Sequence, residues 1–321
     1  MTPDFRILAN DQDVTATLRD RLLSLTLSEM DGESADKLQM TFDDRDHAIA
    51  DPEVDAVLQV WLGPRGTLSD MGRFTIEGYS FSGPPDTLTV TATAIDLKSP
   101  VRVPRTRAWE SRTLGQIVAE IAGRAGLQPV IGASIAAITY PYIAQTAESD
   151  LHFLTRLARR VDATAKAAGG RLVVAARADD VTAAGDPKTP VLVTRADLTS
   201  WSYDLSERAR EGAVAAEVQD TATASRKRLT KGKGPVRVMR HPVASEDEAN
   251  AAAQAALDRA NRDQIEIEAS LARFEPALFA GGRVTIAGLR PAIAGTWHLV
   301  QVRHTFGGGA LVTDFKAKGR T

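Results

Sequence analysis

Two apolar stripes at helical spacing stand in the middle of this chain, in SRTLGQIVAEIAGRAG (residues 111–126) and SDLHFLTRLARRV (residues 149–161). Thr113 and Gln116 can form a capping box before the first stripe, in which each side chain satisfies a backbone N–H that the helix leaves unpaired. Gly126 follows the stripe and supplies a left-handed stop. The first stretch therefore predicts a helix with both of its ends encoded locally.

The second stripe predicts another helix of the same kind. Ser149 is placed to cap it, and its leucines lie on the side opposite its arginines. We expect helices over Thr113–Ala125 and Ser149–Val161, joined by an extended link and packed on each other through their leucine and isoleucine stripes. This helical insert organises the chain, because strand periodicity fills the sequence on either side of it.

Strand periodicity is clearest in two places, Leu22–Ser28 before the insert and Ile265–Leu271 after it, where apolar and polar residues alternate strictly. Closure of such sheets removes exposed edges, so small barrels are expected. The predicted fold class is α+β, mainly β, with two similar small β-barrel domains. The predicted parts are a first tube-like barrel (1–100), a helical insert (101–170), a β connector (171–244), and a helix followed by a second tube-like barrel (245–321).

The two β segments also resemble each other. Gly72-Arg73-Phe74 opens a strand that ends near Phe81, and Gly295-Thr296-Trp297 opens one that ends near Phe306. Each strand is followed by a glycine-containing turn and a last strand. The paired glycine and aromatic signature predicts a structural duplication.

Between these segments, Ser245 with Glu248 predicts a third helix that ends near Arg262 and carries a stripe of alanines. Such a stripe buries little area per residue, so it must lie close against another surface. Upstream of it, Gly212–Arg228 is interpreted as a long ribbon with its tip at Lys227–Gly234.

Composition restricts the possible functions. The 321 residues carry a net charge of -2, are 43% hydrophobic and 25% charged, and include no cysteine. A near-neutral chain has no global attraction to nucleic acid or to an anionic membrane, and a chain without cysteine has no thiolate chemistry. Residues 1–13 show no signal-peptide pattern, so export by a signal peptide is not expected.

Candidate chemical sites are few. The five histidines, which lack the spacing of a zinc site, are His47, His152, His241, His298 and His304. Of these, His298 and His304 fall on one face of a predicted strand. That placement permits a metal site with a third ligand, although a buried, hydrogen-bonded structural role is favoured. No bound metal or cofactor is predicted.

An acidic cluster raises the alternative of a calcium site or a catalytic carboxylate pair. Its members are Asp43, Asp44, Asp46, Asp51, Glu53 and Asp55. Relative to Asp44, the glycine and glutamate that an EF-hand loop needs are missing, so a solvated turn is the favoured interpretation. Nucleophile elbows and phosphate loops are absent from the sequence.

One basic run could bind phosphates or an acidic protein surface. It consists of Arg226, Lys227, Arg228, Lys231 and Lys233. It lacks the interleaved aromatic residues of single-strand binders, and the ordinary interpretation is a solvated ribbon tip. No catalytic, cofactor-binding or metal-binding residue is assigned, and no sequence-specific nucleic-acid partner is expected.

Several motifs, in their order, resemble the late control protein D family of contractile phage tail hubs. The motifs are Gly83-Pro84-Pro85-Asp86-Thr87-Leu88, Arg107-Ala108-Trp109, the helix Leu114–Leu127, Gln145-Thr146-Ala147-Glu148-Ser149-Asp150, and the helix containing Phe153-Leu154 and Arg156-Leu157-Ala158. The resemblance runs from about Phe5 to about Lys318. The family is similar in fold to the T-even phage hub and to the N-terminal part of VgrG, the type VI secretion spike protein.

The resemblance implies a structural role in a contractile tail, a tail-like bacteriocin or a related injection device. The implied assembly is a homotrimer that adapts the sixfold tail tube to a threefold spike, since two similar units in each of three chains make six. Implied partners are the tube protein, a spike protein, other baseplate proteins and, as a further candidate, the tape measure protein. The implied location is the virion tail, after synthesis in the host cytoplasm. The family also carries a histidine near the end of this strand, matching His304, and we interpret it as structural.

Two alternatives stay open. A spike-associated wall-degrading hydrolase would need a domain that these 321 residues are not expected to contain. A VgrG-like hub would continue into a small barrel and a needle, whereas this sequence ends at Thr321. We therefore expect a protein that is not an enzyme.

Overall fold

The computed structural model forms two compact units. It describes residues 2–31, 35–47, 49–94, 100–168, 170–177, 188–205, 212–220, 225–240, 243 and 245–320. The first unit comprises Met1–Leu97, Pro190–Ser202 and Ile267–Ala317, and the second comprises Lys98–Thr189, Tyr203–Glu266 and Lys318–Thr321. Of the histidines named above, His241 lies outside the described residues.

Strands dominate both units. They are β1 (Pro3–Ala9), β2 (Gln12–Asp13), β3 (Leu22–Met30), β4 (Lys37–Asp43), β5 (Val57–Pro64), β6 (Ser69–Ser82), β7 (Thr87–Thr93), β8 (Pro104–Thr113), β9 (Gln128–Ile131), β10 (Thr139–Ser149), β11 (Ala163–Ala168), β12 (Arg171–Ala176), β13 (Val191–Thr194), β14 (Leu198–Leu205), β15 (Ala213–Asp220), β16 (Ser225–Gly232), β17 (Val236–Val238), β18 (Ile265–Leu271), β19 (Arg283–Ala287), β20 (Gly295–Gly307) and β21 (Ala310–Arg320). The helices are α1 (Thr15–Leu18), α2 (Leu114–Ala125), α3 (Ala133–Ala136), α4 (Asp150–Arg160) and α5 (Glu246–Arg262), with 3-10 turns at Pro100–Arg102 and Arg195–Asp197. The mainly β class with helices is confirmed.

The first unit is built on one continuous sheet. Its strands follow the order β14-β18-β21-β20-β3-β4-β7-β6-β5-β1-β2, with β19 also on β20 and β13 on β19. The two predicted β segments are therefore hydrogen-bonded to each other, through β20 and β3. The described pairings join all 13 strands in one sheet that branches at β20, so the division into two separate barrels stays a prediction.

This sheet contains the same strand order twice. The path β3-β4-β7-β6-β5-β1 is matched by β14-β18-β21-β20-β19-β13, and the strands correspond in chain order as well. One difference is that β1 runs antiparallel to β5, whereas β13 runs parallel to β19. We call the two sets the first repeat and the second repeat.

The glycine and aromatic signature marks equivalent places in the two repeats. Gly72 and Gly295 have φ of 99° and 142°, and residues other than glycine rarely adopt this backbone conformation. Phe74 on β6 is opposite Leu58 of β5, and Trp297 on β20 is opposite Val284 of β19. Both aromatic rings are buried. The predicted correspondence thus falls on equivalent strands.

The core of the first repeat lies on one side of the sheet because side chains alternate along a strand. Leu25 and Leu27 of β3, Met40 of β4 and Val90 of β7 all join the same buried cluster. The intervening residues therefore lie on the opposite side, which is the side that positions the candidate site.

The second unit contains the predicted helical insert. The Thr113–Gln116 capping box is present, and Gly126 has the left-handed conformation at the end of α2. Ser149 accepts a hydrogen bond from the backbone N–H of His152 and caps α4. These local signals are confirmed.

The predicted packing of the two helices on each other stays a prediction. Both stripes enter one buried cluster, but α2 packs mainly on β8, β9 and α3, and α4 mainly on β10 and β11. The link between the two helices, which was predicted as extended, contains β9, α3 and β10. The helices pack against these elements. Strands thus cover part of the apolar face of each helix.

The third helix, α5, begins after its Ser245 cap and packs its buried alanines on β15 and β16, which confirms a close approach. The ribbon prediction was wrong about its tip. Lys227–Gly232 lies inside strand β16, and β15 meets β16 with Asp220 opposite Ser225. Residues 221–224, between the two strands, are outside the described residues. Among the described helices, none combines the length and apolarity that crossing a bilayer requires.

Candidate functional site

The side of the sheet opposite the core forms a polar face in the first unit. Thr26 of β3 lies opposite Thr305 of β20 and Gln39 of β4, and Gln39 lies opposite Thr91 of β7. The polar face comprises Ser24, Thr26 and Ser28 of β3, Lys37, Gln39 and Thr41 of β4, Thr87, Thr89 and Thr91 of β7, and Gln301, Arg303 and Thr305 of β20. Such a face can stay in water without a protein cover.

One pair of hydroxyl groups bridges neighbouring strands on this face. The Thr41 and Thr89 Oγ1 atoms are 3.4 Å apart on adjacent strands, close enough for a weak hydrogen bond. Hydroxyl pairs across strands stabilise a sheet modestly and carry no charge. The first-repeat part of the polar face is thus rich in neutral hydroxyls.

The second repeat continues this face as a charged groove across β14, β18, β20 and β21. Lys316 donates to Glu268 Oε1 at 2.9 Å, and Arg303 and Asp314 line the same groove. Exposed ion pairs of this kind add little to stability. The groove can bind a polar or charged surface, and it differs chemically from the equivalent strands of the first repeat.

One edge of the sheet is open in the far half of β6. Residues Ser69–Thr75 pair with β5 on one side, whereas Glu77–Ser82 have β7 on the other side and, among the described strands, none on the β5 side. Tyr79 and Phe81 protrude here, with Phe81 53% exposed, and their rings meet edge to face at 5.6 Å. An open strand edge with exposed aromatic rings is a ready place for another strand to pair.

A second open edge is β14. Within the described sheet it pairs with β18 alone, and Trp201 on this strand is 37% exposed. This strand was not predicted from the sequence, although Leu198, Trp201 and Tyr203 supply residues that favour strands.

The structure separates the candidate histidines. His298 Nε2 lies 2.7 Å from Asp31 Oδ2, and His304 Nδ1 lies 2.9 Å from Thr313 Oγ1. Burial lowers the pKa of His304 to about 4, against a smaller opposing effect from the Leu278 backbone and the Asp314 charge. Each ring thus has its own partner, and no group of three potential ligands suited to a metal occurs among the described residues.

Of the remaining histidines, His47 and His152 are exposed, and His241 lies outside the described residues. His47 approaches Asp44 at 3.6 Å, and His152 approaches Glu148 at 3.7 Å. Neither arrangement adds a third ligand among the residues described. The absence of a bound metal stays a prediction.

The acidic cluster is divided among separate cationic partners. Arg21 donates to both carboxylate oxygens of Asp46 at 2.5 and 2.6 Å, and Arg45 donates to Asp43. The neighbouring arginine hydrogen bond lowers the pKa of Asp43. Asp51 accepts from the Tyr79 hydroxyl at 3.4 Å. A carboxylate engaged by arginine is a poor general base, so this pattern favours the solvated turn.

Carboxylates of the second unit form ion pairs with the basic side chains of strand β16. Arg228 donates to Glu217 Oε1 at 2.9 Å, Arg226 lies 3.6 Å from Glu217 Oε2, and Lys227 donates to Glu246 Oε1 at 2.6 Å. Much of the positive charge is therefore balanced within the second unit. A phosphate-binding role loses its main support.

Comparisons with known proteins place this chain among phage tail proteins. Residues 69–310 match the family described as phage tail baseplate hub (GPD). The chain is 29% identical to the probable baseplate hub protein of Escherichia phage 186 over 98% of this chain and 92% of that protein. It is 34% identical to the probable baseplate hub protein of Escherichia phage P2 over 68% of this chain and 56% of that protein.

Solved structures show the same fold at low identity. A tail protein from Neisseria meningitidis MC58 superposes with a TM-score of 0.73 at 12% identity, over 99% of this chain and 97% of that one. The 43 kDa tail protein of prophage MuSo2 from Shewanella oneidensis gives 0.70 at 12%, with 98% of both chains covered. The E. coli c3393 protein, a type VI secretion component similar to T4 tail proteins gp27 and gp5, gives 0.58 at 14%, over 94% of this chain and 74% of that one. With the sequence match covering residues 69–310, these findings show that the chain belongs to the phage tail baseplate hub family and is a structural component of the phage tail.

Proposed function

We propose that this hub acts as a homotrimer that joins the sixfold tail tube to a threefold spike. The single observation that carries the proposal is the duplicated strand order within one sheet. Three copies of a chain with two equivalent repeats present six equivalent sets of strands, while their side chains repeat only three times. A ring of this kind can therefore meet sixfold symmetry on one side and threefold symmetry on the other.

The polar face supports a channel-lining role within such a ring. Its hydroxyl groups remain hydrated without a protein partner, whereas the core side of the same sheet is apolar. If the face lines the channel, neighbouring copies meet through other surfaces. We expect each of those interfaces to exceed about 2,000 Å², the size typical of permanent assemblies.

The partners proposed are the tube protein, a separate spike protein, surrounding baseplate proteins and the tape measure protein. The relatives are named as baseplate hubs, which supports a structural role without catalysis. In a peptidoglycan-release assay, the purified chain should release no more material than buffer does. Synthesis in the host cytoplasm is part of the same proposal.

Mass in solution tests the proposal. Light scattering after size exclusion should report three copies of the 34.4 kDa chain, alone and together with the spike protein. The trimer should then bind preassembled tube rings. A stable monomer or dimer, or a trimer that binds neither tube nor spike, would refute the adaptor function while leaving the family membership intact.

A further inference from the structure

The first unit contains a pocket at one end of the first repeat, where β4 ends and where β6 turns into β7. Its volume is about 600 Å³. The side chains of Asp44, Asp51 and Asp86 line it, with Ile49 and Pro84 among its apolar groups. No lysine or arginine among the described residues lines it. The pocket is therefore acidic.

Asp44 is the buried member of the three carboxylates. It is 2% exposed, its backbone N–H donates to the Asp86 carbonyl at 3.0 Å, and its own carbonyl accepts from the His47 N–H at 2.9 Å. Its Oδ1 atom accepts no hydrogen bond from any described residue, and the exposed ring of His47 approaches Oδ2 only to 3.6 Å. A buried carboxylate oxygen without a donor costs free energy, so this atom is a place for a donor from outside the chain.

The Asp86 carboxylate has a defined place beside Gly83. A Cβ atom at position 83 would overlap Asp86 Oδ1, so a larger residue there would displace the carboxylate. The backbone bond from Asp44 to Asp86 connects the same turn to the end of β4. Local structure thus holds two of the three acidic residues together.

The corresponding end of the second repeat supplies its own counter-ion. The ends of β4 and β18 are equivalent positions, and beyond β18 the guanidinium of Arg273 binds both Asp197 and Glu275. One arginine thus neutralises two carboxylates. In the first repeat the neighbouring arginines bind Asp43 and Asp46, which do not line the pocket. The pocket carboxylates therefore keep their charge available to a cation from another molecule.

We propose that this pocket binds the guanidinium group of an arginine side chain presented by another protein of the tail. A metal ion fits less well, because no group of three potential ligands suited to a metal occurs among the described residues. Lysine fits less well, because guanidinium offers five donors in a rigid fork that matches carboxylates. The inference rests on the proposed function for the class of partner, whereas the pocket is a property of the single chain.

A small-molecule probe tests the pocket directly. Nα-acetylarginine methylamide is titrated into the purified chain and followed by saturation-transfer difference NMR, with the neutral citrulline analogue as the matched control ligand. The arginine probe should bind in the millimolar range, and the citrulline probe should not bind. Asp44→Asn and Asp51→Asn should each raise the dissociation constant of the arginine probe about 10-fold or more, because each removes a charge-assisted hydrogen bond.

Glu53→Gln is the control variant, because Glu53 is exposed nearby in the sequence and does not line the pocket. It should bind the arginine probe as the natural chain does. Circular dichroism should show Asp44→Asn folded, and Asp51→Asn changes an exposed side chain, so its result does not depend on folding. Equal binding by the natural chain and both aspartate variants, no binding of the arginine probe, or its displacement by stoichiometric calcium would each overturn the proposal.

Binding to the tail proteins separates this inference from the adaptor function. The natural chain, Asp44→Asn and Glu53→Gln are each titrated with the tube, spike and baseplate proteins. Asp44→Asn should raise the dissociation constant for at least one of these partners about 10-fold, and Glu53→Gln should change none. Unchanged binding by Asp44→Asn would refute the arginine contact and leave the adaptor function in place. A chain that forms no trimer would refute the adaptor function, and the probe titration would still decide the pocket.

Discussion

Acidification should destabilise this protein through one buried histidine, His304. Its ring lies fully inside the first unit, packed edge to face against Phe274 at 5.1 Å and bonded through Nδ1 to Thr313. The Thr313 hydroxyl also accepts from the Glu275 backbone N–H at 3.0 Å, which leaves its proton free for His304 Nδ1. This arrangement fits a neutral ring, and protonation would place a charge among apolar neighbours.

The sign and size of the effect follow from linkage. Burial lowers the pKa of His304 to about 4 in the folded chain, from an ordinary value of 6.5. Between these values the unfolded chain binds more protons, so the free energy of unfolding falls as the pH falls from 6.5 towards 4. The loss amounts to about 2 kcal/mol at pH 5 relative to pH 7, and about 3 kcal/mol once the pH is well below 4.

Urea unfolding at pH 7, 6 and 5, followed by circular dichroism, measures this dependence. His304→Asn removes the titrating ring while keeping an oxygen that can accept from Thr313, so its stability should change about 2 kcal/mol less over this range. His47→Asn is the control, because His47 is an exposed histidine of the same unit. Parallel pH profiles for the natural chain and His304→Asn would show that the ring is not held neutral by burial.

Two further predictions concern packing and metal content. Leu154→Ala, at a fully buried position of α4, should lower the free energy of unfolding by about 2 to 5 kcal/mol, because it removes buried apolar surface and leaves a cavity. Leu151→Ala, at a half-buried position of the same helix, should lower the free energy of unfolding by about 1 kcal/mol. A loss under about 0.5 kcal/mol for Leu154→Ala in urea unfolding would contradict the buried stripe. Elemental analysis of the purified protein should find no stoichiometric transition metal, and finding one would overturn the separate structural roles of His298 and His304.

Features that depend on residues a few positions apart, such as helix caps, could be predicted from the sequence. The Thr113 capping box, the Ser149 cap and the Ser245 cap each depend on residues three positions apart, and all three occur in the structure. The alternation of Leu25 and Leu27 with polar residues likewise placed β3 correctly. Such signals need no knowledge of distant partners.

Pairings between distant strands could not be predicted in the same way. The junction of β3 with β20 joins Leu27 to His304, and hydrophobic alternation specifies which face a strand buries but not which strand lies beside it. The supposed tip at Lys227–Gly234 failed for a related reason. Gly232 and Gly234 both have positive φ and look like turn residues, but Gly232 ends a strand that β15 pairs along its whole length.

The two repeats share backbone order while their exposed side chains differ, and this separation has a consequence for assembly. On the proposed ring, strand order repeats six times, so contacts made through strand positions are similar at every repeat, except at β1 and β13, whose directions relative to their neighbours differ. The hydroxyls of the first repeat and the Glu268, Arg303 and Lys316 charges of the second alternate around the ring. A partner that contacts the exposed side chains therefore meets threefold symmetry, and one that contacts the other strand positions meets near-sixfold symmetry, on the same sheet.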